Sequence, residues 1–260
     1  APQIHEDAPN NQAFHWVAEG GDTDDAFAAA DVIVKDIIIQ QRLIPNAMEP
    51  RSAVANWTKA TGELTLWSTS QNPHICRFLA SLVTGIGEHK IRVIATEVGG
   101  GFGSKIPMYA DEMIASFCSM QLGRPVKWTA TRSEGFQATI HGRDHVEYVE
   151  MAATRDGKIT AVRTKIYAGM GAYLSTAGPG VPTILHGLIY SGPYDIGATK
   201  ADIYGVFSNT TPTDAYRGAG RPEATFLVER LVDLLAVELS TDPVELRRKN
   251  LIPKFEDGHD

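Results

Sequence analysis

Two glycine-rich segments have the composition of backbone sites that bind anions. Residues 99–103 read GGGFG, and residues 218–220 read GAG between Arg217 and Arg221. Glycine lets backbone N–H groups approach a ligand closely, and a helix that begins after such a segment adds partial positive charge at its N-terminus. The arginine side chains add planar cationic groups that suit phosphates and other oxyanions. In a chain of net charge −7, two such segments suggest one extended, negatively charged ligand.

The first segment does not match a standard nucleotide-binding motif. Ser104 stands where the dinucleotide fingerprint needs its third glycine, and Ile106 stands where a P-loop needs serine or threonine after Lys105. A glycine cluster between a strand and a helix can be only a tight turn, and the two arginines can be solvated charges at a helix entry. An anion site, a nucleotide-binding loop and a plain turn all stay open on these residues alone.

Other polar residues give weaker signals. His74, in a turn before a helical pattern, is expected to be a structural or surface histidine rather than a ligand. Asp144 and His145 are adjacent, and neighbouring side chains on a strand face opposite sides, so we do not expect them to act as a pair. Glu49 is expected to be an ordinary hydrogen-bonded acid in a loop.

Composition excludes several classes of protein. The 260 residues are 43% apolar and 21% charged, enough for a sizeable core, and the negative net charge argues against binding to nucleic acid or anionic lipid. The two cysteines, Cys76 and Cys118, lie among apolar residues and give no basis for a disulfide, a zinc site or an iron–sulfur cluster. We see neither an apolar run long enough for a membrane span nor a signal segment, so a cytoplasmic protein is expected.

Hydrophobic periodicity predicts a mixed α+β fold, with mixed or antiparallel sheets, hairpins and packed helices. The hairpin signals are the turn at residues 59–62 and the Asp156-Gly157 turn. Strands are predicted at residues 32–40, 52–58, 63–68, 89–98, 126–131, 145–154, 158–168 and 203–208. Helices are predicted at residues 22–30, at 73–82, from 110 up to Gly123, at 222–239 and from 242 onward, and residues 169–191 stay unassigned.

Five phrases, taken in order, carry a resemblance to a known family. They are STSQNPH at residues 68–74, VIATEVGGGFGSK at 93–105, RPVKWTATRSE at 124–134, GRDH at 142–145 and DAYRGAGRPEA at 214–224. Together they resemble the large subunit of the molybdenum hydroxylases, which include xanthine dehydrogenase, aldehyde oxidase and aerobic carbon monoxide dehydrogenase. The resemblance runs from about residue 12 to 253. The phrases MEPR at 48–51 and LRRKN at 246–250 are most similar to the carbon monoxide dehydrogenase-like branch.

The resemblance implies a domain organisation. Residues 1–12 would be a connector, residues 13–253 the first molybdopterin-binding domain, formed as one unit or as two subdomains, and residues 254–260 a tail. The family's upstream hammerhead domain and downstream second cofactor domain would lie outside this chain, which would be an excised domain or one piece of a split subunit. The family's general-base glutamate would also lie beyond Asp260, so no catalytic residue is expected in this chain, and the isolated chain is expected to be inactive.

The resemblance also implies a cofactor, molybdenum held by a pterin dithiolene and often, in bacteria, by its cytosine dinucleotide form. The side-chain amide of Gln71 would lie near the metal, as would the loop at Phe102 and the second loop at Arg217. The full implied set of cofactor-binding residues is Gln71, Gly100, Gly101, Phe102, Gly103, Arg217, Gly218 and Ala219. The implied reaction hydroxylates an electron-poor carbon with oxygen from water. Partner subunits carrying iron–sulfur clusters and FAD would take the electrons.

Departures from the family pattern concern the substrate. Purine-specific members have a glutamate, an arginine and a phenylalanine where this chain has Ile106, Leu185 and Ala219. An aldehyde or an N-heteroaromatic compound is therefore expected in place of xanthine. Carbon monoxide oxidisers have a copper-binding cysteine where this chain has Gly218, which disfavours a copper–molybdenum site. The alternatives are a carbon monoxide dehydrogenase large-subunit fragment and a non-catalytic scaffold of the same fold.

Overall fold

A computed structural model describes residues 2–254, so the expected tail is described only at Lys254 and otherwise lies outside the described residues. The strands are β1 Gln12–Gly20, β2 Val32–Gln40, β3 Ser52–Thr58, β4 Glu63–Ser68, β5 Ile91–Ala95, β6 Val126–Thr129, β7 His145–Ala153, β8 Ile159–Gly171 and β9 Ala198–Phe207. The helices are α1 Thr23–Ala28, α2 Pro73–Thr84, α3 Ala110–Leu122, α4 Arg132–Ala138, α5 Arg221–Glu238 and α6 Pro243–Asn250. This content confirms the α+β fold class.

The chain forms two compact units. The first unit consists of the residues up to 43, of 143–213 and of the residues from 218 onward. The second unit consists of residues 44–142 and 214–217. Within the described residues, no helix is both long enough and apolar enough to cross a membrane.

The first unit is built on a five-stranded sheet in the order β1-β9-β8-β7-β2. All neighbouring strands are antiparallel except β8 and β9, which are parallel. Helix α5 packs on one face, where Leu227, Leu231 and Leu235 are fully buried. Each buried leucine stabilises the fold by roughly 1.5–3 kcal/mol relative to an exposed one. Phe226, on the outward side of the same helix, is half-exposed.

The second unit contains a four-stranded sheet in the order β5-β4-β3-β6, with α2 and α3 packed against it. Leu64 and Leu66, two residues apart on β4, both lie on its buried face. Both helices end at glycines in the left-handed conformation, Gly85 with φ 74° and Gly123 with φ 64°. Helix α3 ends as predicted, and α2 extends two residues beyond its predicted end. Strand β5 is shorter than predicted because residues 88–90 form a 3-10 turn and the ladder with β4 stops at Ala95.

The family phrase at residues 246–250 has a structural role in the first unit. It ends in Asn250, whose side chain is fully buried. The side-chain oxygen accepts from the N–H of Ile159 at 2.8 Å, and the side-chain nitrogen donates to the carbonyls of Gly157 at 2.8 Å and Leu246 at 2.9 Å. Asn250 therefore ties the C-terminal end of α6 to the turn between β7 and β8.

Asn250→Ala is expected to lower the free energy of unfolding by about 2 kcal/mol, since it leaves buried backbone groups without partners. The control is Arg248→Ala, which removes only an ion pair with Glu245 whose side chains are 68% and 62% exposed. That control should cost less than about 0.5 kcal/mol. Urea unfolding of both variants checks the expectation, and equal midpoints would show that Asn250 does not have this role.

Candidate functional site

The first glycine segment, which follows β5, adopts a strained conformation. Gly100, Phe102 and Gly103 have φ values of 93°, 54° and 106°, all left-handed. A phenylalanine seldom adopts such a φ, and strain of this kind is concentrated at functional sites. The Phe102 ring is 41% exposed. Residues 101–106 form successive turns, and α3 begins at Ala110, where the sequence predicted it.

Gln71 fixes this loop in place. Its side-chain Oε1 accepts from the N–H of Gly103 at 2.9 Å and from that of Lys105 at 3.3 Å. Its own backbone N–H donates to the carbonyl of Lys105 at 2.9 Å. A Cβ at position 101 would lie 2.2 Å from the same Oε1, so a larger residue there would displace the Gln71 side chain. The amide oxygen is thus used by the loop, and among the described residues no acceptor is paired with the exposed amide nitrogen.

Residues 214–217 pack directly against this loop within the second unit. The N–H of Arg217 donates to the carbonyl of Phe102 at 2.9 Å, and the guanidinium carbon lies 5.9 Å from the centroid of the Phe102 ring. A Cβ on Gly103 would lie 1.7 Å from the carbonyl oxygen of Ala215. Gln71, Phe102 and Arg217, which are far apart in sequence, therefore form one cluster.

The loop presents N–H groups that can bind an anion or an oxygen ligand. Those of residues 103–106 are used by internal hydrogen bonds. Those of Gly100, Gly101 and Phe102 donate to no protein acceptor within residues 2–254. Successive N–H groups on backbone of alternating handedness form the concave anion sites known as nests. The open donors of the cluster are thus three backbone N–H groups and the Gln71 amide.

Lys105 is not part of that donor set. Its side chain is buried, and its Nζ lies 2.7 Å from Oε2 of Glu49, which also accepts from the N–H of Gly99 at 2.8 Å. Burial raises the pKa of Glu49, but the hydrogen bonds from Lys105 and Gly99 outweigh it and leave the pKa below its ordinary value. The pair stabilises the start of the loop, which disfavours a P-loop role for Lys105 and confirms Glu49 as a hydrogen-bonded acid.

Because the pKa of Glu49 is lowered by folding, its ionised form stabilises the native protein. This contribution is fully present above the ordinary pKa of 4.5 and is lost as the pH falls through the lower, folded pKa. Glu49→Gln is therefore expected to be less stable than the native protein by up to about 1 kcal/mol at neutral pH, with the gap closing in acid. Urea unfolding over a pH series measures the gap, and a gap that does not change with pH would contradict this account.

The remaining site candidates lie in both units. Gly218 and Ala219, with φ values of 96° and 44°, belong to the first unit and lead into α5. The loop ends at Gly220, where a Cβ would lie 2.8 Å from the carbonyl oxygen of Leu185. Leu185 is therefore next to the loop of Ala219 within the first unit. Ile106, the third substrate-pocket candidate, lies half-buried in the second unit.

His74 and the Asp144/His145 pair behave as the sequence suggested. His74 is exposed on α2. Asp144 has a left-handed φ of 70° and accepts from Arg42 at 2.6 Å and 3.1 Å, whereas His145 is buried beside Glu147. The two adjacent side chains therefore have different partners and do not form an acid–base pair.

A buried cluster of His145, Glu147 and His186 was not predicted. Burial raises the pKa of Glu147, partly offset by the hydrogen bond with His145, and burial together with the nearby His145 lowers the pKa of His186 well below its ordinary value. His145 and Glu147 are separated by one residue on β7, so the period of the strand already placed them on one face. His186 lies in the stretch that the sequence left unassigned.

The family assignment rests on almost the whole chain. A family model described as molybdopterin cofactor-binding domain matches residues 4–251. The chain belongs to this molybdopterin cofactor-binding domain family. The match confirms the resemblance to the large subunit of the molybdenum hydroxylases.

Three relatives illustrate the range of the molybdopterin cofactor-binding domain family. The carbon monoxide dehydrogenase large chain of Afipia carboxidovorans is 39% identical over 246 residues, 94% of this chain and 30% of that protein. The structure of quinoline 2-oxidoreductase from Pseudomonas putida 86 matches with a TM-score of 0.91 and 28% identity over 97% of this chain and 32% of that chain. The structure of the aldehyde oxidoreductase from Desulfovibrio gigas matches with a TM-score of 0.90 and 29% identity. The match covers 99% of this chain and 28% of that chain. The chain thus spans about 30% of the length of the curated relative.

Proposed function

We propose that the cluster of Gln71, Phe102 and Arg217 binds the molybdenum end of a molybdopterin cofactor. The observation that carries the proposal is the fixed Gln71 amide, whose oxygen is held by the N–H groups of Gly103 and Lys105 while its nitrogen stays open. A donor held in this way can bind an oxygen ligand without reorganising.

The residues present fit such a group. Gly101 and Gly103 let the loop pack closely against Gln71 and Ala215, which holds the open backbone N–H groups and the Gln71 amide near one another. Arg217 adds a permanent positive charge beside the Phe102 ring. Gly100, and Gly218 with Ala219 in the first unit, complete the proposed set of cofactor-binding residues.

When bound, the cofactor supplies hydroxylation of an electron-poor carbon with oxygen from water. We propose that this chain contributes orientation and hydrogen-bond donors to that chemistry and that the general base lies elsewhere in the protein. The side chains proposed to line the substrate pocket, Ile106, Leu185 and Ala219, carry no charge. An aldehyde or an N-heteroaromatic compound therefore suits the site better than a purine that needs charged partners.

The alternative is oxidation of carbon monoxide, supported by the 39% identity to a carbon monoxide dehydrogenase large chain. Gly218 argues against it, because glycine has no sulfur with which to bind copper. A copper assay, together with activity assays on carbon monoxide, benzaldehyde and quinoline, separates the two. Copper at one atom per chain with carbon monoxide turnover would overturn our preference.

The finer assignments are also proposals. We propose the cytosine dinucleotide form of the cofactor, with iron–sulfur and FAD subunits as electron acceptors and the rest of a larger subunit as a partner. A cytoplasmic location is supported by Cys76 and Cys118, which are both free thiols in the structure.

Molybdenum and pterin analysis of the purified holoprotein tests the proposed function. We expect about one molybdenum and one pterin per chain, with cytidine monophosphate released by acid hydrolysis of the dinucleotide. A folded protein with neither component would favour the scaffold alternative. A bound nucleotide without pterin would favour a nucleotide-binding domain.

A further inference from the structure

A buried group of metal-ligating side chains lies in the first unit, apart from the proposed cofactor cluster. His145 and Glu147 face inward from β7, and His186 belongs to the π-helical turn Thr183–Gly187. Their exposed fractions are 1%, 0% and 0%. Oε1 of Glu147 lies 3.2 Å from Nδ1 of His145 and 3.9 Å from Nδ1 of His186. One ligand atom from each of the three residues lies within 4.8 Å of the others.

Hydrogen bonding within the protein does not account for this group. Oε2 of Glu147 and both ring nitrogens of His186 are buried and have no hydrogen-bond partner among the described residues. Buried polar atoms in native proteins are nearly always paired with protein, water or an ion. A His145–Glu147 hydrogen bond explains one contact, but it leaves His186 without a role.

We propose that His145, Glu147 and His186 bind a divalent transition-metal ion of the zinc class. Two imidazoles and one carboxylate are a donor set that zinc takes in proteins. With zinc–ligand distances of about 2.0–2.1 Å, tetrahedral coordination separates the ligand atoms by about 3.3 Å. The separation of 3.2 Å matches this value, and that of 3.9 Å has to contract by about 0.6 Å when the ion binds.

The proposed ion has a structural role, because its ligands are closed off from solvent. It links β7 to the turn that carries His186. The carbonyl oxygens of Val181, just before that turn, and of Leu185, within it, lie 2.4 Å and 2.8 Å from where a Cβ on Gly220 would stand. The ion would therefore fix the backbone against which the N-terminus of α5 rests. No cysteine takes part, so the cysteine count of the sequence could not reveal such a site.

The test is metal analysis of the holoprotein, expressed without a histidine tag in zinc-supplemented medium and dialysed against a chelator. We expect about one zinc per chain, and less than about 0.1 in His186→Gln and in Glu147→Gln. The matched control is His15→Gln, an exposed histidine that pairs with Asp202 in the same unit and should leave the zinc content unchanged. Zinc retained in both cluster variants, or lost equally in the control, would overturn the proposal.

X-ray absorption at the zinc edge of the native protein gives an answer even if the variants do not fold. We expect a shell of nitrogen and oxygen ligands with two imidazoles and no sulfur. A sulfur ligand, or native protein with less than about 0.1 zinc per chain, would overturn the proposal. Zinc is measured separately from molybdenum, so this result is independent of the proposed cofactor cluster.

Discussion

Gly103→Ala is expected to abolish molybdenum binding and to lower the free energy of unfolding by more than about 3 kcal/mol. The new Cβ would lie 1.7 Å from the carbonyl oxygen of Ala215, which is backbone and cannot rotate away. The φ of 106° is unfavourable for alanine in any surroundings. To relieve the contact, the loop must separate from residues 214–217, which breaks the cluster of Phe102 and Arg217. Molybdenum analysis and urea unfolding measure the two effects.

The matched control is Gly135→Ala in α4 of the same unit. A Cβ at that position meets nothing within 4 Å, and the backbone is helical. This variant should keep its molybdenum and gain about 0.5–1 kcal/mol of stability, because glycine costs that much in a helix interior. A Gly103→Ala protein with native molybdenum content and native stability would show that close packing of the two loops is not required.

Gln71→Glu is expected to lower the turnover of the holoprotein by about 100-fold or more while leaving the loop folded. A glutamate at this position can still accept from the N–H groups of Gly103 and Lys105, as Oε1 of Gln71 does at 2.9 Å and 3.3 Å. It replaces the open NH₂ donor by a negatively charged oxygen. The variant therefore keeps the acceptor oxygen that holds the loop and removes the NH₂ donor proposed to bind the cofactor. Steady-state kinetics and thermal unfolding are measured together.

The matched control is Gln121→Glu on the exposed surface of α3, which adds the same charge to the same unit. It should change neither the turnover nor the thermal unfolding temperature. If Gln71→Glu kept native turnover with native molybdenum content, the Gln71 amide would have no donor role. If it instead unfolded the loop, its effect would be structural, and the proposed function of the amide would lose its support.

Elements with local signals were predicted well from the sequence. The bounds of β3 and β4 follow from two apolar runs around a glycine turn, and α6 follows from Asp242, whose side chain accepts from the N–H groups of Val244 and Glu245. Strand β1 was missed because it is an edge strand with little apolar alternation. Helix α4 was missed although Thr131 and Glu134 form a capping box, because Gly135 weakens the helical pattern.

The candidate site was less accessible to residue-level reasoning. The glycine segments indicated that the backbone is approached closely by another group. At Gly103 that group is the backbone of Ala215, since a Cβ there would clash with its carbonyl oxygen. No spacing rule could place Gln71 beside Gly103 or Arg217 beside Phe102, since these contacts join distant parts of the chain. Those pairings were expected only through the family resemblance. Contacts of this kind depend on tertiary packing, as does the position of His186 beside β7.

Anomalous diffraction at the molybdenum edge, on crystals of the holoprotein, tests the central claim most directly. We predict one molybdenum peak, with ligand atoms within hydrogen-bonding distance, about 3 Å, of the Gln71 amide nitrogen and the Phe102 N–H. A molybdenum peak far from both groups, with the Gln71 amide donating to protein instead, would contradict the account.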